Sequence, residues 1–124
     1  MSSLMAQKPG NKKPRTTRFE TYSKLIPLVP AEEIETVWNH WLTTFKEHPG
    51  RKPELNELRR AHIAWGIHTF DTQLCLQAIT GCANSEWHMG GNPAEKIYND
   101  ITLIFRDITH TKRFIKIAKD NKLT

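Results

Sequence analysis

The sequence predicts an all-α fold: a compact bundle of about five helices preceded by a disordered basic arm. Apolar side chains recur at the i, i+3, i+4, i+7 spacing of a buried helix face in several segments of the chain. Proline, glycine and helix-capping residues separate these segments. At 124 residues, 38% of them hydrophobic and 25% charged, the chain is long enough for one modest core. We therefore predict a single helical domain, residues 20–124, after an arm formed by residues 1–19.

The charge of the chain is concentrated at its two ends. The net charge of +5 divides into +5 for residues 1–19, −4 for residues 20–105 and +4 for residues 106–124. An acidic middle between basic ends is typical of a protein with a polyanionic partner. No apolar run approaches the roughly 20 residues that cross a bilayer, and the first residues lack the apolar centre of a signal peptide. We therefore expect a cytoplasmic protein with no membrane partner.

The arm combines proline and glycine with a dense cluster of cations and few apolar side chains, as disordered segments do. This composition fits a solubilising tail or an arm that follows a phosphate backbone, and the charge density slightly favours the second interpretation. Residues 20–30, bounded by Pro27 and Pro30, are predicted to form an extended lead-in that packs on the domain. The cations of the arm are Lys8, Lys12, Lys13, Arg15 and Arg18.

The first predicted helix covers residues 30–48. Pro30 suits the first helical turn, and three glutamates follow it near the positive end of the helix dipole. The apolar positions then continue without a break and include Trp38 and Trp41. We expect both tryptophans in the core rather than on a surface that stacks on nucleobases.

The next two helices are predicted on either side of a short link. The second covers residues 53–65 and is ended by Gly66. The third begins after the capping residue Asp71 and buries one stripe that includes Cys75 and Cys82. The two cysteines would lie about 10.5 Å apart along the helix axis, too far for a disulfide, so we expect them to be small buried side chains.

Two further helices complete the prediction. Asn92 with Glu95 resembles a capping box and predicts a fourth helix that continues to about Arg106. Residues 101–105 also read as a strand, but no neighbouring segment offers it a pairing partner. The last helix is predicted over residues 107–119. Its outer face carries Lys112, Arg113, Lys116 and Lys119.

The link between the third and fourth predicted helices, residues 82–93, mixes aromatic, sulfur and glycine residues in an unusual way. Trp87, His88 and Met89 stand where an ordinary loop would be polar, and two glycines precede Asn92. Either Trp87 and Met89 plug the core while the glycines make the turn, or the loop presents anchors to a partner. On the second interpretation the partner-binding residues are Trp87, His88, Met89 and Asn92.

Signatures of an enzyme are absent from the sequence. The cysteines and His88 lack the close spacing of a zinc site, and no serine lies in a nucleophile elbow. Gly90 and Gly91 are followed by no phosphate-binding lysine. Asp100 and Asp107 could share a helix face, but they have no histidine or metal partner in the pattern. We therefore expect a protein that is not an enzyme, with no cofactor and no metal.

Nucleic-acid binding has more support. The second and third predicted helices could form a helix-turn-helix pair, but the third exposes only Thr72, Gln73, Gln77 and Thr80, without a cation. Contact with the DNA backbone through the two basic ends fits better. The residues predicted to bind nucleic acid are Lys8, Lys12, Lys13, Arg15, Arg18, Lys112, Arg113, Lys116 and Lys119.

Several stretches resemble the C-terminal helical module of phage and prophage replication proteins. The resemblance covers residues 34–118, and its most specific part is the loop motif S-x-W-H-M-G-x-N at residues 85–92. Y-x-D-I at residues 98–101, the pair Arg106-Asp107, His110 and the terminal Phe114-Ile115 follow in the order of that module. In those proteins an N-terminal DNA-binding domain precedes the module, and here residues 1–19 stand in its place. The resemblance implies a role in phage replication and supplies no catalytic residues.

The function expected from these observations is that of a small phage-encoded, non-enzymatic DNA-binding accessory protein. It would act in replication or host takeover, in the host cytoplasm, with weakly sequence-specific contact to DNA. The alternative is a protein-interaction module that binds and inhibits or redirects a host protein. The partner would then be a polymerase, a helicase or other replisome component of host or phage, or a defence complex.

Overall fold

The computed structural model describes residues 17–50 and 53–122. Within these ranges the fold is all-α, as predicted, with six α-helices, one short 3-10 helix at Ile26–Leu28 and no β-strand. Within the described residues, Met89 and Ile97 form an isolated antiparallel β-bridge. The helices are α1 (Arg18–Ser23), α2 (Ala31–Thr44), α3 (Glu57–Thr69), α4 (Thr72–Ala83), α5 (Ile101–Ile104) and α6 (Ile108–Lys122).

The lead-in is helical where the sequence analysis expected extended chain. Thr17 and Glu20 form a reciprocal capping box that starts α1, because each side chain accepts a hydrogen bond from the other residue's backbone N–H. α1 then buries Tyr22, whose ring stacks on Trp65 at 4.9 Å between ring centroids. Arg18, assigned to the arm by the sequence, is therefore the first residue of this helix. The remaining arm cations, Lys8, Lys12, Lys13 and Arg15, lie outside the described residues.

Helices α2, α3 and α4 enclose most of the core. Trp38 and Trp41 are buried on α2 as expected, and their rings stack at 5.0 Å. The helix predicted to stop at Gly66 instead continues to Thr69. A β-carbon on Gly66 would lie 2.9 Å from the ring of Phe105. The glycine therefore serves close packing inside α3 rather than ending it.

The fourth helix predicted from Asn92 is wrong over most of its length. Residues 92–95 form a tight turn closed by a 2.8 Å bond from the Glu95 N–H to the Asn92 carbonyl oxygen, and Glu95 adopts a left-handed conformation with φ of +53°. The chain becomes helical only at α5, where the Asp100 carboxylate accepts a hydrogen bond from the Thr102 N–H. The segment before α5 is bonded to α2, since the Asn99 carbonyl oxygen accepts a 2.7 Å hydrogen bond from the indole N–H of Trp41.

The last helix is present and longer than predicted. Asp107 caps α6 through a 2.9 Å bond from the His110 N–H. α6 packs mainly on α4, and the closest approach is at Gly81, where a β-carbon would overlap the backbone carbonyl of Phe114. Thr111, fully buried, donates to the carbonyl oxygen of Ile104 at 2.8 Å. One side of α6 is therefore fixed to the core along its length.

Among the helices of the described residues, none combines the length and the apolar character needed to span a bilayer.

Candidate nucleic-acid interface

The side of α6 that faces away from α4 carries four exposed cations. Lys112, Arg113, Lys116 and Lys119 are all exposed, whereas Phe114 on the opposite side is fully buried. Successive residues of an α-helix are about 100° apart, so the three lysines fall within an arc of about 60° and Arg113 lies beside them. We call Lys112, Arg113, Lys116 and Lys119 the basic face. The exposure expected for these four side chains is confirmed.

One carboxylate lies among these cations. Asp120 accepts a hydrogen bond from Lys116 at 3.1 Å, and both side chains are exposed. Such a pair contributes little to stability and opens easily, because water screens both charges. Within the described part of the chain, Lys112, Arg113 and Lys119 form no ion pair. The basic face therefore keeps a net positive charge.

Two arginines lie together beside the start of α6. The hydroxyl of Tyr22 donates to the backbone carbonyl oxygen of Arg106 at 2.9 Å. Burial raises the pKa of Tyr22, although the charge of Arg18 and its hydrogen bond to this residue oppose the shift. Arg18 and Arg106 also line one shallow cleft with Thr17. Thr17 is the residue to which residues 1–16 are joined, so the arm connects to the domain beside the N-terminal end of α6.

The loop holds its histidine in the core. His88 is only 9% exposed, and its ring meets Phe114 of α6 edge to face at 4.7 Å. Ser85 Oγ lies 2.7 Å from His88 Nδ1 and accepts a 3.3 Å bond from the His88 backbone N–H, which leaves the serine proton for Nδ1. Burial lowers the pKa of His88, and the charges of Arg113 and His110 lower it further. His88 therefore supports the loop as a neutral side chain and is not an exposed anchor.

Asn92 is likewise a structural residue. Its amide donates to the carbonyl oxygens of Trp87 and Lys96, both at 2.7 Å, and its side-chain oxygen accepts from the Lys96 N–H at 3.2 Å. These three hydrogen bonds all go to the loop's own backbone. Met89, partly buried, is paired with Ile97. Of the four residues suggested as partner-binding, Asn92 and His88 are buried and Met89 is half-buried.

Trp87 is the exposed residue among the four suggested as partner-binding. Its side chain is 52% exposed. The indole stacks on Tyr98 at 5.4 Å with an angle of 20° between the rings, and it meets the His88 ring at 5.0 Å. The same His88 ring also contacts Phe114, the residue after Arg113 in α6. Trp87 is therefore connected to α6 through one intervening side chain.

Two of the four polar residues suggested as a recognition surface line a cleft between α2, α4 and α6. Thr80 and Gln77 of α4 face this cleft of about 560 Å³ together with His40 and Lys119. His40 Nε2 lies 3.1 Å from Thr80 Oγ1. Thr72, the first residue of α4, donates a 3.0 Å hydrogen bond to the Glu33 carboxylate. A helix engaged in this way between two others does not present a free face to a DNA groove. The structure thus gives a helix-turn-helix interpretation no support.

The carboxylates and thiols that could have carried chemistry are engaged in the fold. Burial would raise the pKa of Asp100, but hydrogen bonds from Thr102 and Arg59 outweigh it and hold the pKa below its usual range. The backbone and side chain of His110 lower the pKa of Asp107 in the same way. Burial raises the pKa of the Cys82 thiol to about 12. Across residues 17–50 and 53–122, no three His, Cys, Asp or Glu side chains are grouped to hold a metal ion.

No family model, curated protein or solved structure matches this chain. The resemblance to the phage replication module therefore stays a prediction.

Proposed function

We propose that this protein is a small, non-enzymatic accessory protein that binds the backbone of DNA through the basic face of α6, with residues 1–19 adding further contacts. The observation that carries the proposal is the division of α6 into two sides. One side is fixed to the core by Phe114 and Thr111, and the other holds four exposed cations. The phage setting, in replication or host takeover within the host cytoplasm, rests on the sequence resemblance.

The chemistry of this face suits phosphates better than carboxylate-bearing proteins. Seven residues separate Lys112 from Lys119, about 10.5 Å along the helix, so the cations form a row rather than a single point. A row of lysines gains affinity from the release of counterions along a polyanion and needs no fixed geometry at each contact. Arg113 can add a bidentate contact to one phosphate. The arm joins the domain beside Arg106, two residues before α6 begins.

The proposal is tested by titrating labelled 20-nucleotide DNA, single- and double-stranded, at several salt concentrations and following fluorescence anisotropy. The test variant carries Lys112→Glu, Lys116→Glu and Lys119→Glu. We expect the slope of log K against log salt to become shallower by about 2 to 3, because each lost phosphate contact removes about 0.7 to 0.9.

A matched control carries Lys24→Glu, Lys46→Glu and Lys96→Glu. Both variants replace three exposed lysines by glutamate, so their net charges are identical. The lysines of the control lie in the acidic middle of the chain, away from the basic face. We expect the control to keep most of the wild-type slope. Equal slopes in the two variants would show that only total charge matters, and absence of binding at low salt would refute the proposal. Deletion of residues 1–16 should weaken binding further and separately.

A second candidate function is capture of a host or phage protein, such as a polymerase, helicase, replisome component or defence complex. One observation favours it, namely the exposed indole of Trp87 held on a rigid loop. An affinity pull-down from host lysate tests this candidate. A partner that is lost on Trp87→Ala, while DNA binding and folding stay unchanged, would favour it over DNA binding.

A further inference from the structure

We infer that Trp87 is a stacking platform for an unpaired nucleobase, so that the DNA held by the basic face is single-stranded. This inference rests on the proposed function and adds to it the class of nucleic acid and a base-contacting residue. It starts from the environment of one side chain. Tyr98 stacks on the indole and His88 contacts it at a steep angle, yet 52% of the Trp87 side chain remains exposed and within reach of a ligand.

The platform is held in place before any ligand arrives. The carbonyl oxygen of Trp87 accepts a 2.7 Å bond from the Asn92 amide, and the Tyr98 N–H donates to the His88 carbonyl oxygen at 2.7 Å. Buried His88 connects this frame to Phe114 of α6. A ring fixed in this way loses little conformational entropy when a flat ligand stacks on it. The loop therefore holds the exposed side chain of Trp87 in a fixed position.

The charges around the platform match a nucleotide rather than a neutral apolar ligand. The His88 ring that touches Trp87 also contacts Phe114 of α6, and Phe114 is the sequence neighbour of Arg113, so the platform lies next to the helix that carries the basic face. Glu86, the residue before Trp87, is an exposed carboxylate, and the four cations of the basic face outnumber it. A base on Trp87 would therefore have its phosphates beside cations, which is the arrangement of grooves that bind single strands by stacking and charge together.

Stacking on Trp87 would favour single-stranded DNA, whereas charge alone would favour duplex DNA. A duplex has more phosphates per unit length, so a purely electrostatic face binds duplex DNA more tightly. Bases inside a duplex are already stacked on each other and offer no free face to an indole. A preference for single strands would consequently measure the contribution of Trp87. It would also be insensitive to base identity, because every base has a π face.

The experiment compares two single-stranded probes with the same number of phosphates, oligo(dT) of 20 nucleotides and an abasic strand of the same length. We expect the wild-type protein to bind oligo(dT) at least about 5-fold more tightly than the abasic strand, since stacking on an aromatic side chain is sequence-tolerant and substantial. Trp87→Ala should remove this ratio without changing the salt slope, and Trp87→Phe should retain part of it. Leu28→Ala, at an exposed apolar residue on another element, is the matched control and should leave the ratio unchanged.

Intrinsic fluorescence gives a second readout of the same contact. The other three tryptophans, Trp38, Trp41 and Trp65, are buried, so quenching by oligo(dT) that the abasic strand does not produce reports on Trp87. An equal affinity for the two probes, or a ratio that Trp87→Ala leaves intact, would overturn the inference while the salt-dependent binding of both probes upheld the proposed function. Loss of a protein partner on Trp87→Ala with the ratio unchanged would also overturn it. If neither probe bound at low salt, the proposed function would fail and the inference with it.

Discussion

Residues 84–100 and helix α6 pack against each other but use their polar side chains in opposite ways. In the loop, the side chain of Asn92 forms three hydrogen bonds with the loop backbone, and Ser85 Oγ bonds both the backbone N–H and the ring of His88. On α6 the backbone is satisfied by the helix itself, so Lys112 and Lys119 are left to face solvent. The difference teaches that an unusual motif can be an internal scaffold, while an ordinary amphipathic helix carries the surface that meets a partner.

The two regions also differ in their charge states. The loop and the core hold neutral histidines, because burial is the largest cause of the lowered pKa of His88, His40 and His62. The basic face holds three exposed lysines and an exposed arginine. A scaffold built on neutral polar groups depends on complete hydrogen bonding, whereas a solvated cationic face does not. Substitutions should therefore act mainly on stability in the first region and mainly on binding in the second.

The largest effect is expected where α4 and α6 touch. In Gly81→Ala the new β-carbon would overlap the backbone carbonyl of Phe114, so the two helices must separate. We expect a loss of about 3 kcal/mol in the free energy of unfolding, even though alanine favours the helix by about 1 kcal/mol. Urea denaturation measures this change. Such a loss would also loosen the support of both regions.

Gly66→Ala is the matched control, since Gly66 is also buried inside a helix. Its β-carbon would meet the ring of Phe105 and the sulfur of Cys75, at 2.9 and 3.0 Å, and side chains can shift where a backbone cannot. We expect this variant to remain within about 1 kcal/mol of the wild type, because the gain in helix propensity offsets part of the crowding. Equal losses at the two glycines would contradict the close approach of backbones at Gly81.

The second effect tests the scaffold of the loop. Asn92→Ala leaves the carbonyl oxygens of Trp87 and Lys96 without their donor, and we expect a loss of about 2 kcal/mol. Asn39→Ala, at an exposed position of α2, serves as the control and should change stability by less than about 0.5 kcal/mol. If both variants were equally stable, the loop would not depend on Asn92. Oligo(dT) binding should weaken along with stability, because Trp87 loses its fixed position.

The helices that the sequence predicted well are those whose signals are local. Asp71 caps α4 as expected, through a 2.8 Å bond from the Leu74 N–H, and the apolar stripe of α6 fixed which side would be buried. The capping box of Thr17 and Glu20 was equally local and could have revealed α1. Gly66 misled the prediction because its role depends on the distant ring of Phe105, and Asn92 did so because its side chain bonds the loop backbone at Trp87 and Lys96 instead of capping a helix. Residues alone do not show such partners.

In the candidate site, too, the sequence predicted the residues whose placement depends on a local pattern and not those whose placement depends on tertiary packing. Helical periodicity was sufficient to place Lys112, Arg113, Lys116 and Lys119 on the exposed side of α6. Trp87 and His88 are neighbours in the sequence, and no periodic pattern in a loop distinguishes them. The packing of Phe114 draws His88 inward, and Trp87 is left on the surface. The exposed indole is thus a product of tertiary structure, and it could not have been separated from the rest of its motif by sequence.

The third effect is a dependence of stability on pH. His40, His62 and His88 have pKa values lowered from 6.5 by burial, so below that value the unfolded chain binds protons that the folded chain does not. Stability should therefore fall as the pH drops through 6.5 and level off below the folded pKa values, by at most about 1.4 kcal/mol per pH unit for each histidine. Denaturation curves between pH 7.5 and 5 test this, and His88→Gln should make the dependence shallower. A stability that is constant over this range would contradict the neutral histidines of the loop and core.

The smallest effect on stability is expected on the basic face, where it separates the two regions most clearly. Lys116 and Asp120 form an exposed pair, so Lys116→Ala should change the free energy of unfolding by less than about 0.5 kcal/mol. The same variant should make the salt slope of DNA binding shallower by about 1, because one phosphate contact is lost. Asn92→Ala should show the reverse pattern, a clear loss of stability with an unchanged salt slope. If Lys116→Ala destabilised the fold as much as Asn92→Ala does, the basic face would belong to the scaffold, and the binding role assigned to it would need another surface.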